Sequence, residues 1–246
     1  MFNVYGAHSA LSRLRKIRNE ELPAVRRDYF EAADQSIPDA HHLTQEGHDT
    51  RRKEQRAAAR ARADARMDQL EAEFTLALDT VRAYARGALA PSDDPTSALL
   101  ADQRQGHAWE RSRRLLESGH NVASVIRNAP DADTVHALRA ELSAWISAQN
   151  GPTRQTLGGE ASDFSPLMRS LDEKLVEHVS GDARTLLRAR LEADALDPGA
   201  RESFKAMRST VEQHRGSLGG ALAVRMADQL AGLTVDAIEG PDDAAA

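Results

Sequence analysis

The longest uninterrupted helical pattern in the chain is residues 51–86, RRKEQRAAARARADARMDQLEAEFTLALDTVRAYAR. Apolar residues in its second half recur at alternating spacings of three and four, which places them on one face of a helix. This face, here called the seam, consists of Met67, Leu70, Phe74, Ala77, Val81 and Tyr84. A coiled-coil-like face is typical of a helix that packs against another helix, so the seam is the candidate contact for a partner helix.

The first half of the same stretch is strongly basic. Its cations, here called the basic run, are Arg51, Arg52, Lys53, Arg56, Arg60, Arg62 and Arg66, and only Glu54 and Asp64 oppose them. Positive charge around most of a helix allows it to lie along phosphates, to meet an acidic protein surface or simply to face water. No aromatic residue interleaves with the arginines, so stacking on bases is not indicated. Nucleic acid and an acidic protein partner therefore stay open as alternatives.

Composition points to small cores of alanine and leucine. Hydrophobic residues make up 41% of the 246 residues, aromatic residues make up only 4%, and there is no cysteine. The lack of cysteine excludes a disulfide framework and thiolate metal sites. No apolar run is long enough to cross a bilayer and the N-terminus does not read as a signal peptide, so we predict a cytoplasmic protein without a membrane partner.

Breaks rich in proline, glycine and serine divide the chain into helical segments. They fall at residues 91–97 and 150–166. We predict an N-terminal helical arm, a small three-helix unit, a C-terminal helical unit and a disordered tail, at residues 1–90 (with the long helix at about 51–87), 98–150, 164–240 and 241–246. No segment alternates convincingly as a strand does, so the predicted class is all-α, with an elongated form.

Local signals give finer expectations within these segments. Pro23 should end the first helix and leave a short helix pair, Gly119 should end another helix, and Pro198 should open a new one. Asp131 and Asp133 are the candidate N-caps of the helix that follows them. The last helix carries Leu222, Met226, Leu230 and Leu233, and we expect Leu222 and Met226 to contribute to the core.

No pattern in the sequence indicates catalysis or metal binding. The densest histidine cluster is His41, His42 and His48 with Asp49, but adjacent histidines diverge and no histidine pair has the spacing of a helical zinc site. Neither a Gly-x-Ser-x-Gly motif nor a phosphate-binding glycine loop is present. We therefore predict a protein that is not an enzyme, with no catalytic residue, metal, cofactor or small-molecule substrate.

Two segments resemble uncharacterised all-helical proteins of phages and prophages of G+C-rich bacteria. They are ALLADQRQGHAWER at residues 98–111 and ALRAELSAW at residues 137–145. The resemblance implies a role in a virion or in its assembly and assigns no functional residue.

The combined prediction is a structural or assembly protein that acts through helix–helix contacts. Its partner would be a second copy of itself, in a homo-oligomer, or another helical protein. The setting would be the cytoplasm or an assembled virion. The alternative is a nucleic-acid-associated accessory protein that binds phosphates through the basic run.

Overall fold

The computed structural model describes residues 4–38, 40–90, 94–149, 164–214 and 218–231. Every regular element in these ranges is helical, which confirms the all-α prediction. No described helix has both the length and the apolar character needed to span a bilayer. The α-helices are α1 Val4–Lys16, α2 Leu22–Asp34, α3 Gln45–Ala88, α4 Pro95–Glu117, α5 Val122–Arg127, α6 Ala132–Gln149, α7 Ser165–His178, α8 Gly181–Gln213 and α9 Leu218–Ala231.

Helices α1 and α2 are continuous, and the predicted break at Pro23 is wrong. They are joined by a π-helical segment, Ile17–Glu21, whose flanking residues Lys16 and Leu22 both have right-handed helical backbone angles. Pro23 cannot donate a hydrogen bond, and its ring would meet the carbonyl four residues earlier in a regular α-helix. The wider π-turn just before the proline provides a local change of backbone hydrogen bonding at this point, so the helix continues.

The predicted long helix is confirmed as α3. It begins at Gln45, a few residues before the basic run, where the side-chain oxygen of Thr44 accepts a hydrogen bond from the Gly47 backbone N–H at 3.2 Å. This hydrogen bond satisfies one of the free backbone donors at the helix start. The helix ends at Ala88, close to the predicted end.

Pro198 lies inside α8, so the prediction that it opens a new helix is wrong. The proline removes one backbone hydrogen bond and disfavours the helix locally. Apolar residues are buried on both sides of it, with Leu186 and Leu187 before and Phe204 and Met207 after. Because both halves of α8 are held by buried side chains, the continuous helix is retained despite the proline.

The described residues form two compact units that differ from the predicted division. Unit 1 contains residues 84–191, and unit 2 contains residues 5–83 and 192–231. The boundaries fall inside α3 and α8, rather than at the proline-rich and glycine-rich breaks. A long helix can serve two cores in succession, and turn residues mark the ends of helices without marking the ends of cores. The predicted tail, residues 241–246, lies outside the described residues.

Unit 1 has a single core that joins the predicted three-helix unit to the helices after it. Trp109 and Trp145 pack against this core, on which both sit half-buried. Asp131 caps α6 as predicted, because its carboxylate accepts from the Thr134 N–H at 2.7 Å. Gly119 follows α4 with φ +97°, as expected of a residue that ends a helix. The core residues are Leu116, Ala123, Val125, Ile126, Ala129, Val135, Leu138, Leu142, Leu167, Leu171, Leu175, Val176 and Leu187.

Unit 2 is built from α1, α2, the first part of α3, the second part of α8, and α9. The aromatic rings of Phe74 and Phe204 meet edge to face with centroids 6.3 Å apart, which places α3 against α8. Arg208 of α8 also forms ion pairs with Asp68 and Glu71 of α3 at 2.8 and 2.7 Å. The largest fully buried side chains of unit 2 include Leu14, Ile17, Met67, Leu70, Leu78 and Val81.

Candidate interaction surface

The seam lies in the interior of the chain. Met67, Leu70 and Val81 are fully buried, Phe74 and Ala77 are buried, and Tyr84 is half-buried. Phe74 packs on Phe204 of the chain's own α8. The six residues thus form a packing face, as the periodicity predicted, but that face is filled by the same copy of the chain. We correct the interpretation of the seam accordingly, since buried side chains present no surface to a partner helix.

Four members of the basic run have partners within unit 2. Arg52 donates to the Gln35 carbonyl at 3.0 Å, and Arg56 lies 3.8 Å from the Asp34 carboxylate. Arg60 lies 3.5 Å from Asp64 and 3.8 Å from Glu212. The chain itself therefore provides some carboxylates close to the basic run, at Asp34, Asp64 and Glu212. The run's other three cations, Arg51, Lys53 and Arg62, are exposed.

Arg66, the last residue of the basic run, belongs to an ionic network that ties α3 to the π-helical segment. It donates to Glu21 at 2.7 Å, and Arg13 forms ion pairs with both Glu21 and Glu73. Hydrogen bonds from Arg13 are the main cause that lowers the pKa of Glu21 and of Glu73, and both carboxylates raise the pKa of Arg13. These pairs favour the charged forms and hold the helices together.

The histidine cluster does not assemble a metal site within the described part of the chain. His41 and His42 lie in a short 3₁₀ turn with ring centroids 4.0 Å apart, and His48 Nδ1 lies 4.0 Å from the carboxylate of Asp49. No group of three or more histidine and acidic ligands converges among the described residues.

A hydrogen-bonded Tyr–His–Asp network in unit 2 went unseen in the sequence, because its histidine lies 185 positions from the tyrosine and 180 from the aspartate. His214 Nδ1 lies 2.9 Å from the Tyr29 hydroxyl, and His214 Nε2 lies 3.1 Å from the Asp34 carboxylate. The tyrosine hydroxyl also donates to the Val211 carbonyl at 3.0 Å, and burial is the main cause that raises its pKa. Tyr29 as a whole is only 4% exposed. The Tyr29–His214–Asp34 network ties the end of α8 to α2. His214, the residue just after α8, has a left-handed φ of 51°.

A buried carboxylate joins three helices of unit 1. Asp172 of α7 is 5% exposed, and it pairs with Arg139 of α6 at 2.5 Å and with Arg190 of α8 at 3.1 Å. His136 lies close to this cluster; burial, followed by the charge of Arg139, lowers the pKa of its imidazole. No sequence pattern linked the three charged residues. The arrangement matches a structural ion cluster, because each oxygen of the carboxylate lies within ion-pair distance of a guanidinium group.

Among the described residues of unit 2, α9 carries an exposed apolar face. Leu222, Met226 and Leu230 are 60%, 53% and 62% exposed, although we expected Leu222 and Met226 in the core. Their spacing of four places all three on one face of the helix. We call this the outer face of α9. The expectation was wrong because helical periodicity identifies an apolar face without showing what covers it.

A row of small residues runs beside the outer face of α9. Gly219, Ala223 and Ala227 also recur every four residues, and each lies next to a large apolar side chain on the helical surface. A ridge of large side chains next to a row of small ones is the surface geometry by which two helices interdigitate. Arg225 and Asp228 lie outside these two rows, so the combined strip carries no charge.

No protein-family model, curated protein or solved structure matches this chain. The geometry of the chain's own residues is therefore the basis for a functional proposal.

Proposed function

We propose that the protein is a non-enzymatic structural or assembly component that pairs with a second copy of itself through the outer face of α9. The observation that carries this proposal is the orientation of α9. Its large side chains Leu222, Met226 and Leu230 point to solvent, whereas the smaller Ala221 and Val224 line the groove on its inner side. A helix that served only its own core would bury the larger residues.

A second copy suits this face because the face is self-complementary. In an antiparallel pair centred on Met226, Leu222 of one copy lies opposite Leu230 of the other. The large ridge of each copy can then enter the row Gly219, Ala223 and Ala227 of its partner. No charge on the strip has to be buried. A virion or scaffolding particle, the context implied by the sequence resemblance, is the setting that we propose for this pairing.

Sedimentation equilibrium across a range of micromolar concentrations tests the pairing. The wild-type chain should show an average mass that rises from 26.8 kDa towards twice that value. The double variant Leu222→Glu/Met226→Glu should stay monomeric, with dimer affinity reduced by about 100-fold or more, because both carboxylates would lose water on association.

The matched control is Leu76→Glu/Leu99→Glu, which places two carboxylates at leucines that are 69% and 58% exposed elsewhere on the chain. It should associate as the wild type does. A wild-type mass that stays at 26.8 kDa up to about 100 µM would refute self-pairing, since a weaker contact could not sustain an assembly.

Binding to nucleic acid is the second candidate, and the exposure of Arg51, Lys53 and Arg62 is the observation that favours it. Three phosphate contacts would give weak, strongly salt-dependent association. The intramolecular partners of Arg52, Arg56, Arg60 and Arg66 leave less free charge than the sequence indicates.

A further inference from the structure

A groove of about 760 Å³ lies in unit 2 between α2, α8 and α9. On α2 its lining follows one face, with Leu22, Pro23 and Phe30 as the apolar residues. Met207 of α8 and Val224 of α9 complete an apolar floor. This volume falls within the range of about 300 to 1,000 Å³ found for sites that bind small molecules.

The position of α9 beside the groove is held by a polar contact. Arg18, in the π-helical segment just before α2, forms an ion pair with Asp228 of α9. Asp228 packs directly on Gly199 of α8, where a Cβ atom would overlap the carboxylate. The missing side chain at Gly199 and the ion pair with Arg18 therefore let Asp228 pack close to α8 beside the groove.

Every charged side chain among the described groove-lining residues is an arginine. Arg18 is engaged by Asp228, and Arg27 lies 3.4 Å from Asp28. Arg26 is exposed, and its guanidinium carbon lies 6.0 Å from the centroid of the Phe30 ring. Within the described residues no carboxylate pairs with Arg26. The groove thus combines an apolar floor with one guanidinium available at its edge.

We propose that this groove binds a single-chain amphipathic carboxylate, such as a fatty acid. The hydrocarbon chain would lie on Leu22, Met207 and Val224, and the carboxylate would accept hydrogen bonds from Arg26. Guanidinium groups bind carboxylates in a planar, two-bond geometry, and one unpaired cation matches the single charge of the ligand. Ligand binding in the groove goes beyond the proposed self-pairing, because the groove lies on the inner side of α9 and the pairing uses the outer face.

Isothermal titration calorimetry of the full chain with dodecanoate, below its micelle concentration, tests the proposal. Dodecanoate should bind saturably with one site per chain, whereas dodecyltrimethylammonium, with the same tail and the opposite charge, should bind at least about tenfold more weakly. Equal affinity for the two would overturn the assignment, since it would mean that the tail alone is recognised.

Three variants locate the binding to the groove. Arg26→Gln should weaken dodecanoate binding about tenfold. Ala206 also lines the groove, and Ala206→Phe, whose ring would fill the floor, should abolish binding. Arg188→Gln, an exposed arginine outside the groove, is the matched control and should bind as the wild type does. Unchanged affinity in Arg26→Gln would overturn the proposal even if Ala206→Phe failed to fold.

The same titration separates this proposal from self-pairing. Leu222→Glu/Met226→Glu alters only the outer face of α9, so it should keep full dodecanoate affinity whether or not the chain dimerises. Loss of dodecanoate binding in this variant, with the groove variants unaffected, would place the ligand on the outer face and refute the groove.

Discussion

Replacing Asp172 with asparagine should destabilise unit 1 specifically. The change keeps the shape of the side chain but removes the charge that Arg139 and Arg190 share. Removing one partner of a buried ion pair costs about 3 to 5 kcal/mol, because the remaining charge stays desolvated. The two arginine side chains are 27% and 18% exposed, so water can solvate them in part. We therefore expect a loss of about 2 to 3 kcal/mol.

Tryptophan fluorescence provides the assay, because both tryptophans of the chain, Trp109 and Trp145, pack on the core of unit 1. A loss of this size should lower the thermal midpoint seen by fluorescence by about 10 °C for a unit of about 100 residues. Far-ultraviolet circular dichroism, which averages over both units, should show a smaller shift or a separate early step.

Glu173→Gln is the matched control for this experiment. It removes one carboxylate at the next position of the same helix, but Glu173 is 44% exposed and makes a simple ion pair with Arg169 at 3.0 Å. Exposed pairs of this type contribute less than about 1 kcal/mol. If Asp172→Asn shifted the fluorescence midpoint no more than Glu173→Gln does, the buried ion cluster would not stabilise unit 1.

Three further predictions test other parts of the structure. Burial lowers the pKa of His136 below the ordinary histidine value of 6.5. At pH values below 6.5 the unfolded chain therefore binds more protons than the folded chain, so unit 1 should lose stability as the pH falls through 6.5. His136→Asn should remove this part of the pH dependence of the fluorescence midpoint, and an unchanged dependence would contradict it. Leu70→Ala should cost about 2 to 5 kcal/mol in urea denaturation followed by circular dichroism, since Leu70 is fully buried, yet leave the sedimentation mass unchanged. If Leu70→Ala instead dissociated an oligomer without losing stability, the seam would be a partner surface. If the nucleic-acid alternative holds, replacing Arg51, Lys53 and Arg62 together by glutamine should flatten the log–log salt dependence of duplex DNA binding by about 2.7. Absence of wild-type binding at low salt would remove that alternative.

The helices themselves could be predicted from the sequence, because the signals that define them are local. The periodicity of residues 67–84 identified α3, the glycine at position 119 ended α4, and Asp131 capped α6. Each signal depends on residues within about one or two helical turns of one another.

Proline was the local signal that misled. Pro23 and Pro198 each disfavour a regular helix, yet the structure continues through both, once with a π-turn and once inside α8. Local preference is worth about 3 kcal/mol at such a position, and burial of several apolar side chains on either side exceeds it.

Which apolar face is covered was decided only by the tertiary structure. The seam of α3 and the outer face of α9 are both apolar faces with helical spacing, but Leu70 is fully buried and Leu222 is 60% exposed. Two polar groups likewise depend on residues that are distant in the sequence: the Asp172 ion cluster and the hydrogen-bond network of Tyr29, His214 and Asp34. Amphipathic spacing determines that a helix has a face to cover, whereas packing among all the helices determines whether its own chain covers that face or leaves it for another molecule.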